Sequence, residues 1–266
     1  MIESNDEGRT IEVTIRIEAD PRRVWTALIH PEEIERWFPL HARGEGRDGG
    51  RVEVTWGDEG WWGTTLSIVN DGTHARFVDE AAVEHGGPVL YMDYHLESDR
   101  GATVLRFVHS GFGPEDRWDD FLDALDAGWS YFFRNLKVYL EHHPGTPRTM
   151  IHARPGTRGS RPEIYAALVR AVGIDPDALR ETAVGAPVTL RVGNEPVDAV
   201  LEAAIDGRTF AARVPSLEQS LLFLEIEKAG DEAKVGVWWS SYGPSAATAG
   251  RLAESRDAIV TALEAR

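Results

Sequence analysis

Among the nine histidines of the chain, His109 occupies the position best suited to chemistry. It closes an alternating run, Leu105, Phe107, His109, so a strand there puts its ring on the same face as two apolar side chains. A histidine among apolar groups acts as a general base, as a proton donor, or as a handle for a ligand carbonyl. By the same parity Leu90, Met92, Tyr94 and Leu96 share a face, and Tyr94 adds a phenol that both donates and accepts. His109 and Tyr94 are therefore the candidates for acid–base work. Trp56, Trp62, Met92, Tyr94, Phe107, His109, Trp129 and Phe133 are the candidates for contact with a ligand, since a mostly apolar lining with a few polar groups suits a small molecule. The competing role for all of them is core packing, and no neighbouring acid or nucleophile accompanies His109 in the sequence.

Other chemistries lack their residues. With no cysteine there is no disulfide framework, thiolate nucleophile or thiolate metal site. Gly44-Glu45-Gly46 with Gly49-Gly50 lacks the lysine and the strand-to-helix setting of a phosphate loop, and neither a zinc-protease motif nor a nucleophile elbow occurs. His142-His143 and Trp118-Asp119-Asp120 have no spaced partner set and read as a helix end and a polar helix face. Neither a metal nor another cofactor is expected. A net charge of −16 opposes a phosphate backbone, which excludes nucleic acid as a natural partner. The opening Met1-Ile2-Glu3-Ser4-Asn5-Asp6-Glu7 lacks the basic and apolar parts of a signal peptide, and no later run suits membrane insertion. A cytoplasmic location is expected.

The elements that must position these residues follow from periodicity. Ile11, Val13, Ile15 and Ile17 alternate with polar residues as a half-buried strand does. Asp20-Pro21 then opens a helix carrying Val24, Trp25 and Leu28, and a second short helix starts near Pro31 and carries Ile34, Trp37 and Phe38. From Gly49-Gly50 an antiparallel meander is predicted, with strands near 51–57, 61–69, 74–80, 89–97 and 102–109. Its parity puts Val52, Val54, Trp56, Trp62, Thr64, Leu66 and Ile68 on the face of Tyr94 and His109, and leaves Asp93 and His95 to solvent. Trp61-Trp62 and Trp238-Trp239 each place one ring on either face of a strand, so that one of each pair is available to a partner. Apolar residues from Leu122 to Leu140 recur at three and four, giving one long helix at about 117–142.

The second half echoes the first. Val24-Trp25-Thr26-Ala27-Leu28 returns as Ile164-Tyr165-Ala166-Ala167-Leu168, and Val52-Glu53-Val54-Thr55-Trp56-Gly57-Asp58-Glu59 as Val188-Thr189-Leu190-Arg191-Val192-Gly193-Asn194-Glu195. Asp71-Gly72 returns as Asp206-Gly207, and Ser110-Gly111-Phe112-Gly113-Pro114 as Ser240-Ser241-Tyr242-Gly243-Pro244. The order is preserved while the offset shrinks from 140 to 130 residues, as in a duplicated copy that lost loop residues. The domain reading is 1–143, a linker at 144–162 that includes a short strand near 149–153, and a degenerate second domain at 163–266.

Ala19-Asp20-Pro21-Arg22-Arg23-Val24-Trp25-Thr26-Ala27-Leu28, Pro31-Glu32 with Trp37-Phe38, Gly49-Gly50, His109-Ser110-Gly111-Phe112 and Gly128-Trp129 together resemble the activator-of-Hsp-90-ATPase group of the SRPBCC, or START-like, superfamily. The resemblance spans about residues 9 to 142. It implies an α+β helix-grip fold of the START/Bet v 1 type: a curved antiparallel sheet wrapped around a long C-terminal helix, with an apolar cavity between them. With the internal echo, the expectation is two tandem copies. The second half departs from the pattern: it lacks a counterpart of Trp37-Phe38, and its equivalent of His109 is Trp239. Three functions stay open: binding of a small hydrophobic or aromatic molecule in the first grip, a cyclase-, aromatase- or hydrolase-type enzyme using His109 and Tyr94, and a co-chaperone that stimulates a chaperone ATPase. The second domain would then be structural, or serve a protein partner or self-association.

Overall fold

The structure is a computed structural model that describes residues 2–5, 8–57, 60–81, 83, 87–113, 119–228 and 230–265. Of the residues named above, Met1, Asp6, Glu7, Asp58, Glu59, Pro114 and Trp118 lie outside this set. The chain divides into two compact units, one reaching Gly145 and the other starting at Thr146.

The first unit runs β1 (Ile2–Asn5), β2 (Gly8–Ile17), α1 (Pro21–Ile29), α2 (Pro31–Ile34), β3 (His41–Gly44), β4 (Arg51–Thr55), β5 (Trp62–Asn70), β6 (His74–Asp79), β7 (Leu90–Asp99), β8 (Ala102–Phe112) and α3 (Asp119–His142). Eight antiparallel strands form one sheet in the order β1-β2-β8-β7-β6-β5-β4-β3. The meander closes when β8 pairs with β2, which carries the chain from the middle of the sheet into the long C-terminal helix. Local chemistry sets the corners. Asp20 caps α1 by accepting the Arg22 N–H at 2.9 Å, and Pro21 takes the first turn, where no amide donor is needed. Between β7 and β8 a two-residue turn puts Arg100 and Gly101 both at positive φ, the geometry that matches the twist of a hairpin. Gly111 sits on β8 at φ +99°, and a Cβ there would lie 2.3 Å from the carbonyl oxygen of Val89.

The strand register follows the alternation in the sequence. Val54 faces Trp62, Met92 faces His109, Tyr94 faces Phe107, and Leu96 faces Leu105. Val52, Val54, Leu66, Phe77, Leu90, Leu96 and Leu105 are buried with them, against Trp129, Phe133 and Leu136 of α3. Two strands, β1 and β3, escaped the periodicity because each is only four residues long.

The second unit runs β9 (Arg148–Ala153), β10 (Gly156–Gly159), α4 (Arg161–Ala171), α5 (Pro176–Arg180), β11 (Pro187–Val192), β12 (Glu195–Ile205), β13 (Thr209–Val214), β14 (Ser220–Lys228), β15 (Gly230–Tyr242) and α6 (Ala246–Glu264). Its sheet has the order β15-β14-β13-β12-β11, with β9 and β10 on successive parts of the free edge of β15. Arg148–Ala153 and Gly156–Gly159 are thus sheet edge: a short strand near 149–153 was expected within the linker, while β10 was not, and the two are separated by Arg154 and Pro155. Both rings of Trp238-Trp239 are buried, contrary to the expectation of one exposed ring. Trp238 lies under a stacked His152 ring at 5.2 Å and donates to Glu225 at 2.8 Å, while Trp239 joins the aliphatic core with Leu222, Leu252 and Ile259. Among the described residues, no helix is long and apolar enough to cross a membrane.

Candidate functional site

The inner face of the first sheet and the facing side of α3 meet in a continuous aromatic cluster. Phe107 of β8 lies 4.4 Å, centroid to centroid, from Trp129 and 5.0 Å from Phe133, one helical turn further along α3. Tyr94 packs 5.0 Å from Phe107, and Phe77 meets Tyr94 edge-on at 5.7 Å. Met92 is buried beside them. At the other end, Phe38 stacks on Trp129 at 5.0 Å and meets Trp56 edge-on at 5.2 Å, and Trp56 stacks on Trp62 at 6.3 Å. Trp56, Trp62 and Phe132 are only half-buried, so they form the rim of the cluster while Phe107, Trp129 and Phe133 form its floor.

The structure brings all eight sequence-predicted residues to this cluster, and it spends two of their indole donors within the protein. The Trp129 indole donates to Nδ1 of His109 at 3.1 Å, and the Trp62 indole donates to Asp79 Oδ2 at 2.9 Å. Indole N–H groups at these two positions are therefore committed inside the protein and are not offered to a ligand. His109 is 2% exposed, wedged against Phe112 at 4.7 Å, and its Nε2 is buried and has no hydrogen-bond partner among the described residues. Burial pushes its pKa down to about 3, so the ring is neutral near neutral pH. A neutral imidazole whose Nδ1 accepts carries its proton on Nε2. The one unspent polar group of this ring is consequently an N–H donor, and a buried donor left without a partner costs about 1–3 kcal/mol. Burial also raises the pKa of Tyr94, which keeps its phenol protonated.

Phe38, Trp37 and Phe112 belong to the cluster and were not among the predicted site residues. Trp37 stacks on Phe133 at 5.9 Å and anchors itself by donating to the Ala27 carbonyl at 2.8 Å. Trp37 and Phe38 follow α2 in a turn and not on the helix itself, so helical periodicity could not aim them. Phe112 continues the β8 run beyond Gly111, at a position where the backbone turns to a positive φ and the parity count is lost. Trp61, across the strand from Trp62, is 43% exposed and lies under the Arg43 guanidinium at 4.0 Å. Asp93 is the clearest correction on the outer face: expected in solvent, it is buried and salt-bridged to Arg76.

Residues 18–141 match the family model described as Activator of Hsp90 ATPase homolog 1-like protein. Among solved structures, the Aha1 dimer from Colwellia psychrerythraea is similar at 21% identity over 51% of this chain and 98% of that chain, with a TM-score of 0.44. Protein MLL2253 from Mesorhizobium loti is 25% identical over 48% of this chain and 94% of its own, with a TM-score of 0.43. DynU16, a putative protein in the dynemicin biosynthetic locus, is 18% identical over 96% of this chain and 95% of its own, with a TM-score of 0.42. No curated protein matches the chain.

Proposed function

We propose, from the premise that residues 18–141 are an activator-of-Hsp90-ATPase-homolog-1-like domain, that the first unit binds a small, largely apolar molecule whose single acceptor oxygen takes the Nε2–H of His109. The observation that carries the proposal is that nitrogen: a donor buried among aromatic rings and unpaired among the described residues. The aromatic floor supplies apolar area, and Trp56, Trp62 and Phe132 are the half-buried rings through which a ligand would have to pass. Met92, Tyr94, Phe107, Trp129 and Phe133 complete the contact set.

An acid–base enzyme built on His109 and Tyr94 draws less support. Nδ1 is occupied by the Trp129 indole, Nε2 already holds a proton, and the low pKa makes the ring a poor acceptor. The chaperone-ATPase reading rests on the family description and not on any contact in the site. We further infer that the two units are tandem copies of one helix-grip plan. In each, two helices follow the opening strands, a meander of six strands in the first unit and five in the second comes next, its last strand pairs with one of the opening strands, and a C-terminal helix follows. In the second copy Trp239 replaces His109 and fills the core, which fits a structural or partner-binding role.

The test compares 2-acetonaphthone with 2-ethylnaphthalene, ligands of like shape with and without a carbonyl, by titration calorimetry on the full chain. The ketone should bind about 10-fold more tightly, the value of one buried hydrogen bond. His109→Phe, checked for folding by circular dichroism, should abolish that preference. Failure of both naphthalenes to bind, or a ketone preference that survives His109→Phe, would overturn the proposal.

A further inference from the structure

Asp93 and His95 alternate with Met92 and Tyr94 along β7, so their side chains leave the opposite face of the sheet from the aromatic cluster. Register completes a set there. His74 of β6 faces His95 directly, and Arg76 faces Asp93. The two imidazoles stack with centroids 4.0 Å apart. Asp93 is 5% exposed, and its Oδ1 accepts from His74 Nε2 at 2.7 Å and from Arg76 Nε at 2.8 Å, while Oδ2 accepts from Arg76 Nη2 at 3.0 Å. One nitrogen or carboxylate oxygen from each of His74, Asp93 and His95 lies within 4.8 Å of the others.

We propose that His74, Asp93 and His95 form a binding site for a divalent transition-metal ion of the zinc class. Two imidazoles and a carboxylate are the ligand types such ions select, and three protein ligands leave a fourth position for water. Residues two apart on one strand, with a third directly across, place three side chains on one patch without help from any loop. A tetrahedral ion at about 2.0–2.1 Å from its ligands sets them about 3.3 Å apart, so His74 and Asp93, now 2.7 Å apart, must part slightly while the wider pairs, all within 4.8 Å, close, both by side-chain rotation. Arg76 donates to both oxygens of Asp93, which orients the carboxylate as an outer hydrogen bond orients a metal ligand.

Charge around the site is balanced. Arg106 of β8 faces His95, but its Nε and Nη2 form a bidentate pair with Glu12 of β2 at 2.6 and 2.8 Å, and Arg76 is paired with Asp93. His74 keeps a fifth of its side chain in solvent, so an ion reaches the patch directly.

The test is zinc chloride titrated into the full chain by calorimetry, with Co(II) as a visible-absorption probe. Wild type should take up one ion per chain. His74→Ala and His95→Ala should each weaken that binding by at least about 10-fold and remove the cobalt ligand-field band. His95→Gln, which keeps bulk and polarity, replaces the alanine variant if circular dichroism shows the latter unfolded. A wild type that takes up no zinc, or uptake unchanged in the histidine variants, would overturn the proposal.

Discussion

Replacing His109 with glutamine should make the first unit less sensitive to acid, by an amount that its burial fixes. In the unfolded chain a histidine titrates at about 6.5, whereas burial among Phe107, Phe112 and Trp129 holds the folded His109 down to about 3. Between these values the unfolded chain binds a proton that the folded protein refuses. Stability from this group is therefore complete above about pH 6.5 and drains away as pH falls towards 3. Each pH unit within that window costs about 1.4 kcal/mol, so from pH 7 to pH 5 the wild type should lose about 2 kcal/mol through His109 alone. Glutamine offers a side-chain oxygen to the Trp129 indole and does not titrate, while the remaining histidines and carboxylates are common to both proteins and cancel. Urea unfolding of wild type and His109→Gln at pH 7, 6 and 5, followed by tryptophan fluorescence, gives the difference directly. A difference that stays flat to within about 0.5 kcal/mol would refute the reasoning, because it would mean that His109 takes up its proton as readily folded as unfolded.

Other substitutions probe the rest of the unit. Trp129→Phe keeps the ring in the cluster but strands Nδ1 of His109, and urea unfolding should show a loss of about 1–3 kcal/mol. Gly111→Ala forces a Cβ against the Val89 carbonyl at a backbone angle that side chains rarely adopt, whereas Gly101→Ala has open space at a similar angle. The first should cost at least about 3 kcal/mol and the second about 1 kcal/mol, read as separate urea midpoints. Asp20→Ala removes the cap of α1 and should cost about 1 kcal/mol in the same assay.

What the sequence disclosed of the fold depended on the length of each periodic run. From Leu90 to His109, alternation over two ten- and eleven-residue strands assigned inner and outer faces correctly, because a one-residue slip would have turned every apolar side chain outward. The four-residue strands β1 and β3 carry too few alternations to register. Beyond the short strand near 149–153, residues 144–162 read as linker because Pro, Gly, Thr and Arg recur across them, yet hydrogen bonding of β10 to β15 needs backbone geometry and not side-chain pattern.

The interior cluster and the outer patch differ in legibility for a related reason. Parity could place His109 inside, but only packing shows that Trp129 claims one of its nitrogens and leaves the other bare, which changes the ring from a candidate base into a donor. His74 and His95 are 21 residues apart and meet solely because the β6–β7 register sets them opposite each other, so spacing alone could not join them. Asp93 looked solvated by parity because alternation tells the face and not the cover: Arg76, long enough to lie across its neighbour, supplies that cover and removes the carboxylate from water. Strand β7 therefore serves both faces, giving Met92 and Tyr94 to the aromatic interior and Asp93 and His95 to the polar patch. A change in its register would disturb both at once, whereas His109→Phe and His95→Ala each leave β7 paired as it stands and address the two sites independently.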